Sequence, residues 1–161
     1  MLIGVLSDTH GRIDTTATAI RLLQSHRVEH IIHCGDVGSV GVLDLLMGTP
    51  ASFVWGNCDY DTHSLKRHSQ AIGIQCFGAI GRITFDGKII SFMHGDDYRM
   101  FNKLIEAQEC DLLLHGHTHC RRADDFGKVR VVNPGALHRA QPKTVALIES
   151  STRNVQFIEV Q

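Results

Sequence analysis

Short apolar runs separated by polar loops set the rhythm of the first third of the chain. "LIGVLS" (2–7), "HIIHCG" (30–35) and "SFVW" (52–55) are brief, apolar and bounded by turn residues, which predicts buried strands. Between them the spacing lengthens. From Asp14 to about Gln24 the positions Ala17, Ile20 and Leu23 fall on one helical face, with Asp14 as N-cap, and "VGVLDLLM" (40–47) predicts a shorter helix. Alternating strands and helices predict a parallel sheet with crossover helices. Residues 57–71 are polar and read as a loop or weak helix. After them "RITFDGKIISFM" (82–93) changes character, with two strands meeting at Asp86-Gly87, a hairpin signal. A helix is predicted from about Asp97 to Glu109, grouping Phe101, Leu104 and Ile105, and "DLLLHG" (111–116) predicts another buried strand. The tail predicts two further hairpins, turning near Gly127-Lys128 and between Thr152 and Asn154. The expected architecture is an α/β sandwich of two packed, mixed sheets with helices outside, formed by residues 1–161 as one domain.

Composition narrows the classes. A chain of 161 residues fills one domain and is short for two. With 43% hydrophobic and 20% charged residues it has no signature of disorder, and a net charge of −1 gives no basic patch to attract nucleic acid or an anionic membrane. No apolar stretch approaches the roughly 18 residues of a membrane span. The opening "MLIGVLSDTHG" lacks a basic segment and is interrupted by Asp8, so no secretory signal is expected. Five scattered cysteines (Cys34, Cys58, Cys76, Cys110, Cys120) predict reduced thiols and a cytoplasmic protein. The eleven histidines are many for this length, so their placement matters.

Several of them share a position with carboxylates. Asp8 and His10 follow the first strand, Asp36 the second and Asn57 the third; His94 follows "IISFM", and His117 with His119 follow "LLLHG". Taken singly, Asp8 reads as a cap, Asp36 and Asn57 as turn residues, and His94 as a hydrogen-bonded core histidine. In "HGHTH" the alternate residues His115, His117 and His119 would share a face of an extended segment. Taken together, five loops begin with Asp, His or Asn where an apolar strand stops, and strand carboxyl ends are where ligand sites of α/β sheets collect. If the strands are neighbours, seven metal-capable side chains converge on one edge.

The series Asp8-x-His10, Gly35-Asp36, Gly56-Asn57-Cys58-Asp59, His94-Gly95 and Gly116-His117-Thr118-His119 resembles the calcineurin-like metallophosphoesterases, and most of all their small bacterial and archaeal phosphodiesterase branch. The motifs run from residue 8 to 119, so the four-layer fold of that family is expected over nearly the whole chain. The resemblance implies a dinuclear centre, with Asp8, His10, Asp36 and His119 on one ion and Asp36, Asn57, His94 and His117 on the other. Asp36 would bridge, and Asp36, Asn57 and His94 are the expected catalytic residues, with Cys58 and Asp59 just behind the ligands. A shared carboxylate is a natural way to hold two repelling cations. Imidazole, carboxylate and amide oxygen together suit Mn²⁺, Fe, Zn²⁺, Co²⁺ or Ni²⁺ better than an all-oxygen magnesium cage, and Mn²⁺ is the expected ion. The implied reaction is hydrolysis of a phosphodiester by a metal-bridging hydroxide, with activity falling toward about pH 6 as the histidines protonate.

Cys58 stands where many larger relatives carry a histidine thought to serve the leaving group. A small packed residue beside a ligand is the expected role, because a thiol is a poor proton donor there. His33 and His115 are expected to pack in the core. "NPGAL" (133–137) resembles an Asn-Pro-Gly-Ser turn of this branch, with Ala136 in place of the hydroxyl, and Arg12, Arg99, Arg139 and Lys143 read as surface charges. Two other readings compete: a phosphomonoesterase or nuclease on the same site, and a protein-binding scaffold like the retromer subunit of this fold. Complete ligand positions favour the enzyme. A homo-oligomer is compatible with the pattern but not specified by it.

Overall fold

The computed structural model describes residues 1–161, with eleven strands and four helices. The first sheet contains β1 (Leu2–Leu6), β2 (His30–Cys34), β3 (Ala51–Val54), β4 (Gln75–Cys76), β10 (Thr144–Glu149) and β11 (Asn154–Glu159), in the order β11-β10-β1-β2-β3-β4. The second contains β5 (Ile80–Phe85), β6 (Lys88–Met93), β7 (Leu112–Leu114), β8 (Arg122–Phe126) and β9 (Val129–Asn133), in the order β5-β6-β7-β9-β8. Strands β1 to β4 are parallel, as are β6, β7 and β9, while antiparallel strands close both edges of the second sheet and one edge of the first. Both sheets are therefore mixed, as the alternation followed by hairpins predicts.

Side-chain alternation distributes three apolar layers. Ile3 and Val5 of β1, Ile32 and Cys34 of β2, Ile90 and Phe92 of β6, and Leu112 and Leu114 of β7 interdigitate between the sheets. The opposite faces of β1 to β3 (Leu6, Ile31, Phe53) are covered by α1 (Ile13–Ser25), α2 (Val40–Leu45) and α3 (Thr62–Ala71). Leu113 of β7 instead meets Phe101 of α4 (Tyr98–Ala107) on the outside of the second sheet. Strands covered on both sides lose their polar alternation, and this is why β7 reads as three consecutive leucines.

Two local expectations change and a third holds. Asp14 lies in the first turn of α1 rather than at its N-cap, which is Arg12, and the buried face is Thr16, Ala19, Ile20 and Leu23 with Ala17 beside it. The polar stretch 57–71 contains a true helix, α3, whose N-cap Asp61 accepts the Ser64 N–H; only Leu65 and Ser69 are buried, so apolar periodicity is faint. The Asp86-Gly87 hairpin holds, with both residues at positive φ (51° and 73°), as a two-residue turn matched to strand twist requires.

Candidate metal centre

The parallel strands end at a common rim, but the rim belongs to two sheets. Loops after β1, β2 and β3 carry Asp8, His10, Asp36 and Asn57; loops after β6 and β7 carry His94, His117 and His119. Backbone bonds lock them pairwise. Asp8 N–H donates to Gly35 O, His10 N–H to Asp36 O and Gly11 N–H to Val37 O, while Gly116 N–H donates to His94 O. Across the sheets, His117 N–H donates to Asp8 Oδ2 (3.1 Å) and the His94 ring to Cys34 O (2.9 Å).

Two glycines explain why the motifs read as they do. A Cβ on Gly56 would lie 2.6 Å from the Asp36 nitrogen and 2.8 Å from His94 Cδ2, and one on Gly116 would lie 2.6 Å from Asp8 Oδ2. The loops approach each other too closely for any side chain at these points. The residues they present are themselves in unusual backbone: Asp8, His10, Asp36, His117 and His119 all have φ between 45° and 67°. Each left-handed non-glycine residue costs on the order of 1 kcal/mol, and such strain concentrates where geometry serves a site.

The centre is a cluster of lone pairs. His119 Nε2 is 3.2 Å from Asp8 Oδ1, and His10 Nε2 and His94 Nε2 are each 3.4 Å from Asp36 Oδ2. Ligand atoms of Asp8, His10 and His119 lie within 4.8 Å of one another, as do those of Asp8, Asp36 and His94 and those of His10, Asp36 and Cys58. Asp8 Oδ1, His10 Nε2 and His94 Nε2 are buried with no hydrogen-bond partner. Orphaned acceptors in a protein interior are costly unless something occupies the space between them, and a divalent cation fits this donor set. The His94 tautomer agrees: its Nδ1–H is committed to the Cys34 carbonyl, which leaves Nε2 with a free lone pair.

The electrostatics point the same way. Burial raises the Asp36 carboxyl, but His94 and the Cys58 N–H (2.8 Å from Oδ1) outweigh it and hold the group well below the usual range. Burial also opposes protonation of His94, yet neighbouring Asp36 and Asp8 lift it to about 8. That elevation shows how strongly the two carboxylates favour positive charge at this point. Burial and Asp36 push the Cys58 thiol upward, so it remains protonated at neutral pH.

The structure brings Asp8, His10, Asp36, His94 and His119 together directly. His117 and Asn57 are more exposed and line the mouth, with the His117 ring 5.1 Å from that of His94 and the Asn57 amide turned toward Cys58. His115 does not share a face with them. The chain leaves the extended conformation after Leu114, and His115 is buried against Phe101 and the Asn133 amide. His33 is likewise in the core, where it links two ligand loops: Gly35 N–H donates to its Nδ1, and its Nε2–H reaches the Thr9 hydroxyl, which donates to Val37 O. Asp59 has a definite task, because its carboxylate accepts the N–H groups of Val37, Gly38 and Gly56 and so clamps the second and third loops together.

In the sequence Asn133 stands out only as the start of the NPGAL turn and Arg139 only as a surface charge, while His138 has no signal of its own. The Asn133 amide donates to Gly116 O and Thr118 Oγ1, which fixes the His117 loop. His138 packs 5.0 Å from the His10 ring, and both His138 and Arg139 border the mouth, a depression of about 350 Å³. The available signal was positional: they follow β9, which is parallel to β7 and ends at the same rim.

Folds and sites of this kind define metal-dependent phosphoesterases. A family model for the calcineurin-like phosphoesterase superfamily domain matches residues 1–153, and the chain belongs to that superfamily. It is 29% identical over 138 residues to a phosphodiesterase of Methanocaldococcus jannaschii, covering 84% of this chain and 83% of that one. A probable metallophosphoesterase of the same organism is 34% identical over 139 residues, covering 84% and 68%. Among solved structures, that of an archaeal phosphodiesterase superposes with a TM-score of 0.92 at 25% identity, over 99% of both chains. The chain is therefore a hydrolase of phosphoric esters, its family uses divalent metals, and no helix is long and apolar enough to cross a membrane.

Proposed function

We propose that this chain hydrolyses phosphodiesters at a dinuclear centre. Asp8, His10, Asp36 and His119 would hold one ion and Asp36, Asn57, His94 and His117 the other. The observation that carries this is the set of buried, unpartnered atoms converging on Asp36. When bound, divalent ions would supply Lewis acidity, bringing the pKa of water down to about 7 and offsetting charge on the phosphoryl oxygens. The protein's own groups do the positioning. Cys34 O orients His94, Cys58 N–H orients Asp36, and Asp59 sets the spacing of their loops. Arg139 and His138 stand where they meet the anionic phosphate at the mouth.

The similarity to proteins named phosphodiesterases supports a diester over a monoester, and the donor set supports Mn²⁺, with Fe, Zn²⁺, Ni²⁺ or Co²⁺ as alternatives. Residues 1–161 act as one metallophosphoesterase domain, and five unpaired thiols support a cytoplasmic setting. The test is hydrolysis of bis(p-nitrophenyl) phosphate and p-nitrophenyl phosphate by metal-stripped protein, with and without Mn²⁺. Metal-restored turnover favouring the diester is expected; preference for the monoester would make the protein a phosphatase.

A further inference from the structure

Beside the mouth of the centre lies a second depression of about 490 Å³, and the two share Cys58. Its walls come from the start of α2 (Ser39, Val40), the Asn57–Asp61 loop and the first turn of α3 (Ser64, Leu65). Nothing in the reading of the metal centre uses this space. Its chemistry is unlike that of the mouth: no lysine, arginine or histidine lines it, and its two charged groups are the carboxylates of Asp59 and Asp61. Two apolar side chains on this wall are open to solvent, Val40 at 37% and Tyr60 at 90%.

Tyr60 is placed with care for a residue that is so exposed. On its N-terminal side Asp59 is fixed by three backbone N–H groups, two from the loop after β2 and one from Gly56 of its own loop. On its C-terminal side Asp61 is fixed as the N-cap of α3 by the Ser64 N–H. The backbone carrying the ring is therefore held at both ends, while the ring keeps its surface free. With the backbone already fixed, only the two side-chain torsions of Tyr60 remain to be ordered on binding, which keeps the entropy cost of a flat apolar contact small. The carboxylates argue against an anionic guest, and the volume is within the range of small-molecule sites.

We propose that this groove binds one ester substituent of the phosphodiester, an uncharged group bearing an aromatic ring that packs on Tyr60 with Val40 and Leu65 beneath. The proposal rests on the phosphodiesterase reading and adds the substrate class. Selectivity follows from the contrast between the two flanks. A neutral ring lies on the Tyr60 side, and any second anionic group must lie on the side of His138 and Arg139.

The experiment is direct binding, followed by NMR of the zinc-loaded protein titrated with diphenyl phosphate, with diethyl phosphate and with the methyl ester of adenosine 5′-phosphate. Wild type is expected to bind diphenyl phosphate at least tenfold more tightly than diethyl phosphate. Tyr60→Ala should remove about tenfold of that, or roughly 1.4 kcal/mol, while diethyl phosphate affinity changes less than twofold and Tyr60→Phe behaves as wild type. If the adenosine diester loses affinity in parallel, the guest is a nucleoside; if only diphenyl phosphate does, it is an aryl group on phosphorus. Equal affinity of wild type for the phenyl and ethyl diesters, or equal loss of both on Tyr60→Ala, overturns the groove assignment. Turnover of bis(p-nitrophenyl) phosphate is scored separately. Turnover with Tyr60-independent binding removes the groove and leaves the phosphodiesterase reading, whereas Tyr60-dependent binding without turnover does the reverse.

Discussion

Replacing Asp59 tests whether the geometry of the centre is held from behind. Oδ2 of Asp59 accepts Val37 N–H (3.1 Å) and Gly56 N–H (2.8 Å), and Oδ1 accepts Gly38 N–H (2.8 Å). Each charge-assisted bond is worth about 1.5–3 kcal/mol, but water can replace part of that at Gly38, which is exposed, and at Gly56, which is half-buried. The Val37 amide has no such recourse, since Val37 is wholly buried, and an orphaned buried donor costs about 1–3 kcal/mol. Asp59→Ala is therefore expected to lose about 2–4 kcal/mol in total. Asp59→Asn keeps one acceptor oxygen and should lose about half as much. The assay is urea unfolding followed by the single tryptophan, Trp55, which adjoins Gly56. Metal affinity should fall in step, because the clamp sets the distance between the Asp36 and Asn57 loops. An Asp59→Ala protein within 0.5 kcal/mol of wild type, with unaltered metal content, would refute the reasoning.

Three further outcomes are expected. Cys58→Ala should change turnover less than threefold, because its thiol is protonated and adds only a lesser bond to Asp36 beside that of the Cys58 backbone N–H, which alanine keeps, whereas Asp36→Asn should reduce turnover by at least a hundredfold; steady-state kinetics at fixed metal content compares them. Since His94 stands at about 8 in the metal-free protein, a proton must be displaced below that pH, and metal affinity measured by competition with a chelator should weaken about tenfold per pH unit from pH 8 downward. His33, at about 3, and His115, at about 4, are held neutral chiefly by burial against an ordinary value of 6.5. The unfolded chain therefore binds more protons below 6.5, so the metal-free protein should lose about 1.6 kcal/mol per histidine between pH 6.5 and 5, read by urea midpoints. His94 acts in the opposite sense, adding stability as pH falls from 8 to 6.5, so it does not mask this loss.

What could be read from the sequence follows from how each element is buried. Strands β1, β2 and β3 announce themselves because both of their faces are covered, and the ligands stand out because polar residues interrupt those runs. Helix α3 was faint because it buries only Leu65 and Ser69, and its clearest signal was the cap at Asp61 rather than any apolar stripe. His115 packs in the core as expected, and the alternation with His117 and His119 fails because it presumes extended backbone, while His117 and His119 adopt left-handed φ and turn the chain. That the ligands are divided between two sheets, and that β9 brings His138 and Arg139 to the same rim, depends on pairings between strands far apart in sequence, which local patterns do not encode.

That division has a consequence for how the molecule responds to damage elsewhere. Asp8 and Asp36 ride on one sheet and His94 and His119 on the other, and interdigitated side chains such as Ile3, Ile32, Phe92 and Leu112, with the His117 N–H to Asp8 and His94 to Cys34 bonds at the rim, set the alignment between them. A sliding of one layer over the other by a fraction of an ångström leaves both hydrogen-bonded ladders intact, yet it pulls the donor atoms of the centre out of register. With metal held as proposed, the centre would work as a vernier for the sandwich, registering small misalignments of the interior as a change in metal hold before global unfolding records them.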